Sequence, residues 1–117
     1  MERELGLNRT IRMLPFVERL GVATELTGSL ESATRSGQEH LMDKVLAILR
    51  REILEVQGPF VGADLACLLE AMSELEHEAG RVAPMPVAFN RQAHLVIAAL
   101  MRGRSETISS LAPVTEP

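Results

Sequence analysis

Three apolar stripes, each advancing in alternating steps of four and three residues, restrict what this chain can fold into more than any other feature. Met42, Leu46, Leu49, Ile53 and Val56 form the first, and Val61, Leu65, Leu68, Met72, Leu75 and Ala79 the second. Phe89, Ala93, Val96 and Leu100 form the third. That step returns every side chain to one face of an α-helix. The stripes are separated by strong breakers, Gly58-Pro59 and then Gly80 with Pro84 and Pro86. The pattern therefore predicts an all-α chain of packed helices.

The helices can be placed from local chemistry. Residues 2–13 read as a short helix with Leu7, Ile11 and Leu14 on one face, and Pro15 suits the first turn of a new helix. Phe16, Leu20, Ala23, Leu26, Leu30 and Ala33 then recur at helical spacing. Gly21 and Gly28 lie seven residues apart in that segment, and each costs about 1 kcal/mol relative to Ala in a helix interior. Either a neighbouring helix approaches closely there or the helix breaks near Gly28. Residues 34–38 read as a turn, with Ser36 and Glu39 as a capping box opening a helix over 37–57. Further helices are expected over 60–78 and 87–102, joined by a stiff proline-bearing connection. The second of these is nearly apolar all round and is expected to be deeply buried. The expected architecture is a bundle of four to five helices over residues 1–103, packed as a homodimer, followed by a flexible tail over 104–117.

Composition narrows the function classes. The chain has 117 residues, with 46 % hydrophobic side chains but only 3 % aromatic ones, so aliphatic residues and six Met must fill the core. The lack of Trp and Tyr removes the usual stacking platforms for single-stranded nucleic acid. A net charge of −4 disfavours a nucleic-acid partner, which calls for a basic surface, although Arg3, Arg9, Arg12, Arg102 and Arg104 make the two ends more basic than the middle. Cys67 is the single cysteine, so there is no disulfide framework; its place in an apolar helix predicts a buried thiol. The run Leu95–Met101 is too short to cross a bilayer, and Met-Glu-Arg-Glu does not begin a signal peptide. A cytoplasmic protein is expected.

Two constellations are worth testing against geometry. Glu70, Glu74 and His77 share a helix face, and Glu-x-x-His is the spacing of di-iron carboxylate sites in helical bundles. A complete site needs a second motif, with Glu52, Glu55, His40 and Asp43 as the available contributors, so it would have to assemble across a dimer. The same face lies opposite the Leu68, Met72 and Leu75 stripe, which predicts a solvated acidic surface. Arg35 and His40 have four residues between them, a spacing that resembles the HEPN ribonucleases, although here the pair falls in the expected turn and not on a helix. Residues 60–101 are similar in outline to the second half of acyl and peptidyl carrier proteins, from Phe60-Val61-Gly62-Ala63-Asp64 onward. That family attaches its phosphopantetheine to a serine after the aspartate. Leu65 stands at that place, so carrier activity does not transfer.

The pattern is read as a non-enzymatic helical interaction module, a regulator, adaptor or assembly factor that needs no cofactor and meets another protein or a second copy of itself. The expected contact face comprises Leu41, Val45, Ile48 and Ile53 on the 37–57 helix with Val96 and Leu100 on the last helix. The alternatives are a small metal-binding enzyme using Glu70, Glu74 and His77 across a dimer, and a nucleic-acid-binding regulator using the arginine-rich ends.

Overall fold

In a computed structural model, the chain is all-helical among its described residues, which are 2–56 and 62–111, with side chains described over 15–55 and 64–103. Four helices follow in order: α1 (Glu2–Leu30), α2 (Arg35–Val56), α3 (Gly62–Ala79) and α4 (Pro86–Leu111). The links between α1 and α2 and between α3 and α4 are short, which makes each pair an antiparallel hairpin. α4 is the hub, since it packs on α1, α2 and α3, and α1 packs along α2. α2 and α3 make few close backbone approaches, and Arg50 Nη2 on α2 pairs with Glu76 Oε2 on α3 at 2.7 Å.

The three stripes build the core as their spacing requires. Met42, Leu46, Leu49 and Ile53 are buried, as are Leu68, Met72 and Leu75, and Phe89, Ala93, Val96 and Leu100. Leu65 and Ala79 pack partly buried against them, and α1 adds Phe16, Leu20, Ala23 and Leu30. At the ends of two stripes, Val61 and the side chain of Val56 fall outside the described residues.

Several boundaries differ from expectation for identifiable reasons. α1 runs without interruption through Pro15 and on past Gly28, so the first two expected helices are one. A proline there forgoes one intrahelical bond, which the surrounding turns of a 29-residue helix absorb. The side chains of Leu7, Ile11 and Leu14 lie outside the described set. α2 begins at Arg35, before the expected capping box. The cap is Thr34, whose Oγ1 accepts from the Gly37 backbone N–H at 3.2 Å, while the Gln38 N–H reaches the Thr34 carbonyl at 2.7 Å. Pro86 sits at the first position of α4, where its missing N–H costs nothing, and the Phe89 N–H bonds the Met85 carbonyl at 2.9 Å. α4 continues past Gly103 to Leu111, so residues 104–111 of the expected tail are helical and 112–117 lie outside the described residues. One side of α4 is open: Leu95 and Met101 are 55 % and 45 % exposed, in contrast to the burial expected all round.

Part-buried polar contacts also join α1 to α4 and α1 to α2. Thr27 is buried, and its hydroxyl donates to the Thr24 carbonyl at 2.7 Å. His94 Nε2 lies 3.2 Å from the same oxygen; the Thr27 proton is already used, so Nε2–H is the donor across the α1–α4 contact. Glu52 on α2 is fully buried, and Arg19 on α1 bonds it through Nε and, at 3.3 Å, through Nη2. The Arg19 Nη2 also donates to Glu55 Oε2 at 2.7 Å.

Candidate functional site

The expected contact face is part of the chain's own core. Val45, Ile53, Val96 and Leu100 are buried within a single chain, and Leu41 and Ile48 pack against that core partly buried. The wide apolar face of α2 is divided between α1 and α4, so these side chains have little area left for an outside partner.

Glu70, Glu74 and His77 are all exposed on the outer face of α3, as the opposed stripe requires. Glu74 accepts a bond from Gln92 Nε2 at 3.3 Å, the same amide that donates to the Ala71 carbonyl at 2.9 Å and ties α3 to α4. Of the other possible contributors, Glu52 is committed to Arg19, and His40 and Asp43 are exposed on α2. Among the described residues no group of three His, Cys, Asp or Glu side chains is placed to hold a metal ion.

Arg35 and His40 both lie on α2, not in a turn. Five residues carry a helix about 140° past a full turn, so the two side chains leave different faces. Cys67 is exposed, contrary to the expectation of a buried thiol. It directly precedes the buried Leu68, and a helix turns about 100° per residue, which takes it off the apolar stripe. Gly21 and Gly28 have no neighbouring atom within 4 Å of where a Cβ would stand, so among the described residues no other element approaches closely at those two positions of α1.

What periodicity could not show is a groove at one end of the bundle, between the N-terminal turns of α2 and the α3–α4 connection. It comprises two adjoining clefts. One, of about 280 Å³, is lined by Arg35, Gln38, Glu39, Met42, Ala83 and Pro84. The other, of about 230 Å³, shares Glu39, Met42 and Pro84 and adds Asp43, Ala79, Arg81 and Val82. The connection presents Val82 and Met85, and the first turn of α4 presents Val87; they are 97 %, 59 % and 52 % exposed.

That connection has a defined shape. The Gly80 N–H bonds the Glu76 carbonyl at 3.0 Å and the Arg81 N–H bonds the Glu78 carbonyl at 3.3 Å. The Glu78 carboxylate accepts from Arg81 Nη1 at 3.2 Å and from the Met85 backbone N–H at 3.3 Å, spanning the turn. Pro84 and Pro86 restrict the backbone further. The apolar tips are thus held outward by a stapled loop.

Among the described residues, no helix is long and apolar enough to cross a membrane. Comparison with known family models, with curated proteins and with solved structures finds no match to this chain.

Proposed function

We propose that this chain is a non-enzymatic interaction module whose contact surface is the end of the bundle built from the α3–α4 connection and the start of α2. The observation that carries this reading is that Val82, Met85 and Val87, three large apolar side chains within six residues of sequence, are all more than half exposed, and that Val82 lines a groove with Met42, Ala79 and Pro84 in its walls. Single exposed apolar residues are ordinary on a protein surface, but a cluster rimmed by charge marks a contact site. The loop's hydrogen bonds and prolines add to this, because a surface already held in one shape loses little entropy on binding. The acidic outer face of α3, with Glu70, Glu74 and Glu76 exposed, repels phosphate, which favours a protein partner over a nucleic acid.

The test is site-specific photo-crosslinking in the native cell. A photoreactive residue at Val82 should capture one protein species, identified by mass spectrometry and re-formed from purified components. The same residue at Ser29, exposed on α1, should capture none of it. Equal, unselective labelling from both positions would remove the reading.

A further inference from the structure

We infer that the partner at this end of the bundle is a second copy of the same chain, joined about a two-fold axis; this rests on the reading of that end as the contact surface. A two-fold interface must be self-complementary, because the same patch faces itself. The groove meets that condition in shape and in charge.

In shape, it places a knob beside a hole. Val82 stands 97 % exposed on the rim of one cleft. Across Pro84, which lines both, lies the cleft of about 280 Å³ with Met42 in its wall. A cavity of roughly 150 Å³ already holds a benzene-sized group, so the cleft accepts a valine side chain with room for a neighbouring Met85. A two-fold rotation seats the Val82 of each copy in the cleft of the other. Within one chain the stapled connection keeps Val82 on its own rim and out of that cleft.

In charge, the rim carries both signs. Among the described residues Arg35, Glu39 and Asp43 have no ion-pair partner, and Arg81 has only the exposed, local pairing to Glu78 at 3.2 Å. A partner of one sign would leave part of this rim facing like charge. A second copy brings Arg35 and Arg81 against Glu39 and Asp43 twice over, and such pairing sets register and partner choice more than raw affinity. The patch covers only one end of a small bundle. The association should therefore be weak, in the micromolar range or above, as for contacts at the low end of interface size.

The experiment is sedimentation equilibrium on the full chain from low to high micromolar concentration, with circular dichroism as the check on folding. The wild-type chain should pass from monomer to dimer, and Val82→Asp should weaken dimerisation roughly 10- to 100-fold by losing a buried apolar group. Two charge variants decide the interface without relying on any one contact. Glu39→Arg with Asp43→Arg makes the rim wholly positive, and Arg35→Glu with Arg81→Glu makes it wholly negative. Each alone should stay monomeric, and the mixture should form a one-to-one heterodimer. A wild-type chain that is monomeric throughout overturns the inference; if Val82 still captures a different protein, the contact-surface reading survives it. A wild-type dimer unchanged by all three variants overturns the inference too, and places self-association on another face.

Discussion

Removing Arg19 should cost this fold more than removing both Arg19 and its partner. Glu52 is fully buried, while the Arg19 side chain is 29 % exposed and supplies two donors to that carboxylate. In Arg19→Met an aliphatic stem of similar length is retained and the guanidinium is lost. Glu52 is then a buried carboxylate without its cation, a change that typically costs about 3–5 kcal/mol. Partial solvent access at Arg19 favours the lower end, about 3 kcal/mol. With about 2.1 cal/mol/K of unfolding entropy per residue over 117 residues, 1 kcal/mol is about 4 °C, so the melting midpoint should fall by about 12 °C. The double variant Arg19→Met with Glu52→Leu replaces both charges by apolar groups of similar size and should lie within about 1 kcal/mol of the wild type. The assay is urea unfolding followed by circular dichroism, since the chain has neither Trp nor Tyr for fluorescence. The sign of the pH dependence also follows. Hydrogen bonding to Glu52 raises the Arg19 pKa; burial opposes this, and the charges of Glu52 and Glu55 add to it. A cation whose folded pKa is raised stabilises at every pH below its unfolded value and loses that only as pH climbs through the folded one. The gap between wild type and Arg19→Met should therefore show no loss on the Arg19 side as the solution is made moderately alkaline. An Arg19→Met cost below about 1 kcal/mol, or a double variant as unstable as the single, would refute the argument.

Gly21→Ala and Gly28→Ala should each stabilise the chain by about 0.5–1 kcal/mol, because a methyl group at either meets no atom within 4 Å; destabilisation in urea would show that this face of α1 is covered. Thr34→Ala should cost about 1 kcal/mol through loss of the α2 cap and Ser36→Ala close to nothing, and the reverse ranking in thermal melts would return the helix start to the expected capping box. Val45→Glu should abolish the cooperative unfolding transition, whereas Ile48→Glu should leave a folded, weakened chain. Two equally folded variants would mean that this face is not core.

The helices were legible because their stripes are redundant. Phe89, Ala93, Val96 and Leu100 agree on one face, and all four are buried. Boundaries were less legible because one or two polar groups decide them: Thr34 and Ser36 are both good caps by residue type, and only the path of the preceding turn selects Thr34. Cys67 shows how local the signal is, since its apolar neighbours suggested burial while its helical angle put it outside.

The burial of the expected contact face within one chain has a deeper reason. An apolar face reports that something covers it, and the residue pattern is the same whether the cover is another helix of the chain or another molecule. On α2 the cover is internal, so Val45 and Ile53 are core. Glu52 illustrates the complementary gap: its type predicts exposure or chemistry, and its burial depends on an arginine 33 residues away that no local window contains. The groove is invisible to periodicity because Val82, Pro84 and Met85 belong to a connection, where no helical step sorts inside from outside. Spacing thus finds the residues that hold a helical bundle together. The surface with area to spare for a partner emerges only when the bundle's own packing has been subtracted; the proposed end, where the stapled turn meets the first turns of α2, is read from that remainder, which also includes Leu54 on α2 and Leu95 and Met101 on α4.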